Sequence, residues 1–154
     1  MKGKAKINMV DDARVLIVDD DVVINIITSI LKRDKYLTDS CYSGEEALQK
    51  VRKNVYELVL LDVNLGRGLD GYETCKQLRD SNPDLPVILV TASQDDESVN
   101  KGFEAGSADY IKKPVSRYGQ KHNGRRVKII MSISNCFERR RYGYLNETKV
   151  EINI

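Results

Sequence analysis

Asp19, Asp20 and Asp21 close the first apolar run of the chain, residues 15–18, and a lone Asp62 closes another, residues 58–61. Carboxylates set side by side at the ends of buried strands repel one another and lose hydration, so something positive must compensate. A hard divalent cation held by one or two carboxylates, water and an incoming phosphate does so, and this is how proteins ordinarily hold Mg2+. The leading chemistry is therefore phosphoryl transfer. Asp20 and Asp21 also have a plainer reading as caps of the helix that follows, at least as good as the first for Asp21. Capping does not account for Asp62.

Two further residues stand at the ends of apolar segments, Thr91 after residues 87–90 and Lys113 before Pro114. Taken singly, Thr91 reads as a β-branched strand residue, Lys113 as a solvated charge and Asp62 as a turn former. Taken together they supply a carboxylate nucleophile, an acid pair, a hydroxyl and an ammonium, the groups needed to move a phosphoryl group onto Asp62. In that reading Asp62 attacks phosphorus to form an aspartyl-phosphate. Mg2+ is held by Asp20 and Asp62, with Asp19 acting through water. Lys113 binds one phosphoryl oxygen as a compact cation, and the Thr91 hydroxyl donates to another. Positioning and electrostatics carry such a reaction, so it needs nothing from the lone histidine, His122.

The elements that must position these residues are legible from periodicity. Residues 14–19 read as a strand, rich in Val, Leu and Ile and without alternation, as in a strand covered on both faces. Val23, Ile26, Ile27, Ile30 and Leu31 then recur at helical spacing, predicting a first helix to about residue 34. A weaker strand spans residues 36–42, and Ser43 with Glu46 opens a second helix as a capping-box pattern. The third strand, residues 57–62, empties into the glycine-bearing segment 64–71, expected to be mobile. A third helix follows, with Tyr72, Cys75 and Leu78 on one stripe. The fourth strand is residues 87–91, the fourth helix runs from about 95 to 105 with Val99 and Phe103 together and stops at Gly106, and the fifth strand is residues 109–112. Strands alternating with helices predict an α/β domain with a parallel sheet. In such sheets the functional crevice lies outside the carboxyl ends of the strands, where Asp19, Asp20, Asp62, Thr91 and Lys113 all fall.

A chain of 154 residues, 41% hydrophobic and 31% charged, fits one soluble domain with its own core. No apolar run spans a bilayer and the basic amino terminus leads into acids, so a cytoplasmic protein is expected. Cys41, Cys75 and Cys136 lie far apart and in no metal-ligand spacing, as reduced packing residues do. The net charge of +2 hides an acidic excess before Pro114 and a basic excess after it.

With its segments in this order, Val15 to Asp20, Leu60-Leu61-Asp62 followed by Asp70-Gly71, Val90-Thr91-Ala92 and Tyr110 to Pro114, the chain resembles the receiver domain of two-component response regulators over roughly residues 13–115. The resemblance implies a flavodoxin-like (βα)5 doubly wound parallel sheet in the order 2-1-3-4-5. It also implies that Asp62 accepts a phosphoryl group from a histidine kinase or phosphotransfer protein, in a transfer the domain itself catalyses. It selects Lys113 over Lys112, because Lys113 immediately precedes the proline. It makes the backbone carbonyl of Asn64 the third protein ligand to Mg2+, and Thr91 and Tyr110 a switch pair that turns toward the phosphate and inward respectively.

Two departures from the family pattern stand out. The loop after Asp62 carries Gly66-Arg67-Gly68, with one extra residue and no proline. After Pro114 a basic, glycine-containing insert, residues 116–126, precedes a fifth helix of about 126–141, with Val127, Ile130, Met131, Ser134 and Phe137 at helical spacing. The expected organisation is an arm of residues 1–12, a receiver domain of 13–141 and a tail of 142–154, the stretch after Pro114 as a whole being an atypical basic C-terminal extension and the insert loosening helix 5 from the switching surface. A monomer or weak dimer acting on a downstream effector protein follows. Residues 115–154 leave no room for a helix-turn-helix unit, so direct nucleic-acid binding is disfavoured. The alternative function is a Mg2+-dependent phosphotransfer enzyme or phosphatase. Asn64, where the usual second acid of aspartate-nucleophile phosphatases would stand, argues against turnover on an external substrate. A flavodoxin-like cofactor binder is a weaker rival, since Asp19 to Asp21 would repel a phosphate.

Overall fold

A computed structural model describes residues 13–92, 95–113 and 132–138. The arm 1–12, the insert 116–126 and the tail 142–154 lie outside the described residues. In chain order the elements are β1 (Arg14–Val18), α1 (Val23–Arg33), β2 (Leu37–Cys41), α2 (Gly44–Lys53), β3 (Leu58–Asp62), α3 (Gly71–Ser81), β4 (Val87–Thr91), α4 (Asp96–Glu104) and β5 (Asp109–Lys112). Residues 132–138 form a further helical segment, α5. The five strands are all parallel, in the order β2-β1-β3-β4-β5.

Because side chains alternate across a strand, the unbroken apolar runs feed two cores at once. Val15 and Ile17 of β1, with Leu60, Ile88 and Ile111, pack under Ile27 and Leu31 of α1 and under Ile133 and Cys136 of α5. Leu16, Val18, Val59, Leu61 and Leu89 pack on the other face under Ala47 of α2 and Cys75 and Leu78 of α3. Both faces of β3 and β4 are thus covered, whereas the edge strand β2 leaves Leu37 exposed. Each buried Leu or Ile removed from water contributes about 1.5–3 kcal/mol, which makes the central strands a rigid platform for whatever stands at their ends.

The starts of α1 to α4 follow local chemistry with one exception. Ser43, Asp70 and Asp95 cap α2, α3 and α4 through their side chains. At α1 the N-cap is Val22 and no side chain caps it. Asp21 therefore does not act as the expected cap: its carboxylate is turned back to accept the N–H of Val22, one residue on. In α4, Val99 packs against the core but Phe103 is 52% exposed, contrary to the expected pairing, and Gly102 takes the buried position instead. Despite the glycine-rich insert, α5 is docked on the sheet. Ile133 and Cys136 are buried, Phe137 packs beside Tyr36 at 6.1 Å between ring centroids, and Ser132 donates to Asp109 at 2.6 Å.

Candidate functional site

Strand pairing delivers the acidic and basic side chains to one edge. Asp62 is the last residue of β3, opposite Val90, and the ladder continues as Val63 donates to the Val90 carbonyl at 3.4 Å. Asp19 follows β1 and is held by its N–H on the Cys41 carbonyl at 3.2 Å. Thr91 ends β4, and its carbonyl accepts the Lys113 N–H at 2.6 Å. That last bond extends the β4–β5 ladder by one residue and carries the lysine into the site.

Lys113 Nζ lies 2.9 Å from Asp19 Oδ2 and 3.3 Å from Asp62 Oδ2. Asp19 and Asp62 are 2% and 4% exposed, so two buried carboxylates share one ammonium. Burial, and then repulsion from Asp19, push the Asp62 carboxyl up to about 6, with Lys113 and the Asn64 N–H pulling the other way. Burial alone would lower the Lys113 ammonium, but its bonds and charge contacts with Asp19 and Asp62 outweigh burial and leave it raised.

Asp20 is exposed beside this pair, and one carboxylate oxygen from each of Asp19, Asp20 and Asp62 lies within 4.8 Å of the others. Opposite donors around an octahedral Mg2+ stand about 4 Å apart, so this all-oxygen donor set fits a hard divalent cation. Asp19 already spends Oδ1 on the Asp21 N–H at 3.0 Å and Oδ2 on Lys113. Asn64 is exposed, and its N–H donates to Asp62 Oδ1 at 3.3 Å.

The loop expected to be mobile is pinned at several points. Leu65 is buried, Leu69 donates its N–H to Glu45 Oε2 at 3.0 Å, and Gly66 and Gly68 adopt φ of 72° and 82°, which L residues rarely reach. Gly71 donates to the Val63 carbonyl at 2.8 Å, and a Cβ there would strike the Asp62 carbonyl. Asp70-Gly71 thus caps α3 and lets its first turn lie directly against the end of β3.

Tyr110 is turned inward, 8% exposed, with its ring against Gly102. Its hydroxyl is bonded to those of both Tyr72 and Thr91; burial first, then Tyr72, push its pKa up to about 12 against the opposing effect of Thr91. Two residues near the site escaped sequence reasoning. Glu45 reads as one more acid in the first turn of α2, and Tyr72 reads as a core stripe residue. For Tyr72 a signal existed, since a tyrosine on a core-facing stripe needs a partner for its hydroxyl.

The family model for the response regulator receiver domain matches residues 15–119. Regulatory protein VanRB of Enterococcus faecalis is 39% identical over 102 residues, which are 66% of this chain and 46% of that protein. Transcriptional regulatory protein ResD of Bacillus subtilis is 37% identical over 107 residues, 69% of this chain and 44% of that one. The chain thus spans under half the length of these curated relatives. Among solved structures, the BeF3-activated DrrB receiver domain superposes with a TM-score of 0.69 at 31% identity, covering 83% of this chain and 99% of its own. A putative response regulator from Chloroflexus aurantiacus superposes with a TM-score of 0.73 at 34% identity, with the same coverage.

Proposed function

The chain belongs to the response regulator receiver domain family, and from that premise we propose that Asp62 is its phosphoacceptor in a two-component phosphorelay. The observation that carries this reading is the pair of buried carboxylates, Asp19 and Asp62, sharing Lys113 at the carboxyl edge of the sheet. Two acids on one ammonium leave a deficit of positive charge beside a nucleophile.

A carboxylate oxygen of Asp62 forms a bond to phosphorus as the bond from phosphorus to the donor histidine nitrogen breaks, and that nitrogen keeps the electron pair. Lys113 stands where it can take charge developing on a phosphoryl oxygen, and the Thr91 hydroxyl serves a second oxygen. Asp20, Asp62 and the Asn64 carbonyl would hold Mg2+, with Asp19 reaching it through water. When bound, the ion supplies charge neutralisation at the phosphoryl oxygens. The partners in this reading are a histidine kinase or phosphotransfer protein and a downstream effector, in the cytoplasm, with the chain a monomer or weak dimer. Among the described residues no helix is long and apolar enough to cross a membrane.

The test is acetyl phosphate with Mg2+, read by intact-protein mass. The expected outcome is one phosphoryl group per chain in the wild type and none in Asp62→Asn. Labelling of the variant at the wild-type rate would sink the assignment. Many donor molecules consumed per chain without a long-lived adduct would favour the phosphatase reading instead.

A further inference from the structure

Tyr72 sits in the first turn of α3, next to Gly71, and its hydroxyl donates to the Ser98 carbonyl of α4 at 3.2 Å. Lys101 of α4 lies over its ring at 5.1 Å from the centroid. The ring of Tyr110 occupies a slot that exists because residue 102 is glycine: a Cβ there would approach the ring to 2.9 Å and Leu89 to 3.0 Å. In that slot the Tyr110 hydroxyl reaches both Tyr72 and Thr91. Each of the three hydroxyls has one proton to give. Tyr72 spends its proton on Ser98, so it meets Tyr110 as an acceptor. Tyr110 then meets Thr91 as an acceptor, and the donors run in one direction, from Thr91 to Tyr110 to Tyr72 to the α4 backbone.

We propose that Tyr72 is a positioning residue for the Thr91–Tyr110 pair, holding the Tyr110 hydroxyl when Thr91 turns its proton to the phosphoryl group and tying that change to α4 through Ser98. The proposal rests on Asp62 being the phosphoacceptor. Its physical basis is the asymmetry of buried hydrogen bonds: making one contributes little, whereas stranding a buried hydroxyl is costly. Without Tyr72 the Tyr110 hydroxyl has Thr91 to fall back on, and Thr91 is held away from the phosphate.

The experiment measures beryllofluoride binding to the full chain in Mg2+ by calorimetry, for the wild type, Asp62→Asn, Tyr72→Phe, Tyr110→Phe and the Tyr72→Phe/Tyr110→Phe double variant. Phenylalanine keeps the ring under Lys101 and removes only the hydroxyl. The expected result is affinity about tenfold weaker in Tyr72→Phe, about 1.4 kcal/mol. The double variant should be no weaker than the worse single one, because the two hydroxyls act through each other. A merely structural Tyr72 would instead lower the melting temperature of the mimic-free protein and leave the affinity alone. Equal affinity in wild type and Tyr72→Phe, or losses that add in the double variant, overturn the proposal while binding that is absent in Asp62→Asn keeps the phosphoacceptor reading. Wild-type protein that binds no mimic overturns both.

Discussion

Toward the amino edge of the sheet, the Tyr56 hydroxyl donates to Asp39 at 2.7 Å, Arg14 stands 4.0 Å from the same carboxylate, and the Arg14 N–H donates to Glu57 at 3.2 Å. At the carboxyl edge, Asp19 and Asp62 are far more deeply buried than Asp39, yet among the described residues Lys113 is the one cation bridging them. The first set matches each acid with its own donors and lies partly in solvent, where an ion pair contributes little. The second concentrates negative charge where water cannot screen it, and three carboxylates there approach one another closely enough to share an ion. A cluster of that kind costs stability in the metal-free protein, and a cation or a phosphoryl group is what relieves it.

The most decisive way to break this contrast is Asp62→Asn, which is expected to abolish phosphoryl incorporation from acetyl phosphate. It should also raise the stability of the metal-free protein by about 1–3 kcal/mol in urea denaturation, because it removes a buried charge repelled by Asp19. A loss of stability would mean that Lys113 more than balances the pair. Lys113→Ala tests the other side. It strands two buried carboxylates, so a destabilisation of about 2–4 kcal/mol is expected, together with phosphorylation slowed by about 10²-fold. Stability equal to wild type would show that the two acids do not depend on the ammonium.

Next in size is the metal. Asp20→Ala should weaken Mg2+ binding by about tenfold or more in a calorimetric titration, and Asp19→Ala by less, since the exposed Asp20 is the proposed direct ligand and Asp19 reaches the ion through water in that proposal. Equal affinity in wild type and Asp20→Ala would reject the coordination. At the opposite edge, Tyr56→Phe should cost only about 1 kcal/mol and leave Mg2+ binding and phosphorylation unchanged.

How much of this was legible in the sequence follows from what sequence patterns encode. Strand runs such as residues 87–91 and their carboxyl-terminal Asp, Thr and Lys were readable, because a strand buried on both faces must be continuously apolar and a site at the sheet edge must follow it. The strand order rested on family resemblance, and the sheet has it. What was not readable depends on contacts between distant segments. Asp21 failed to cap α1 because its carboxylate found the next N–H instead. The loop after Asp62 looked mobile from its glycines, yet Glu45 on α2, distant in sequence, holds Leu69. Phe103 fitted the helical stripe, but the slot that Tyr110 needs puts Gly102 at the buried position.

The smallest predicted effect concerns thiols and isolates the role of Lys113. Cys41 and Cys75 are as buried as Asp62, and burial pushes both thiols up to about 11. At Cys41 the second contribution is the Glu46 charge, which also raises it, and the Ser43 backbone and Lys50 only partly oppose that. At Cys75 the nearby Arg79 lowers the value without reversing it. Among the described residues neither thiol has an ammonium in direct contact, as Asp62 does. At pH 8 about one thiol in a thousand is then ionised, and the thiolate is the species that reacts. Native protein at pH 8 is expected to resist iodoacetamide at both positions for hours, whereas urea-unfolded protein reacts at all three cysteines within minutes, as peptide mass mapping would show. Rapid native alkylation at Cys41 would mean that the carboxyl edge beside β2 opens to solvent. The contrast between a sealed acid pair and its surroundings would then have to be redrawn.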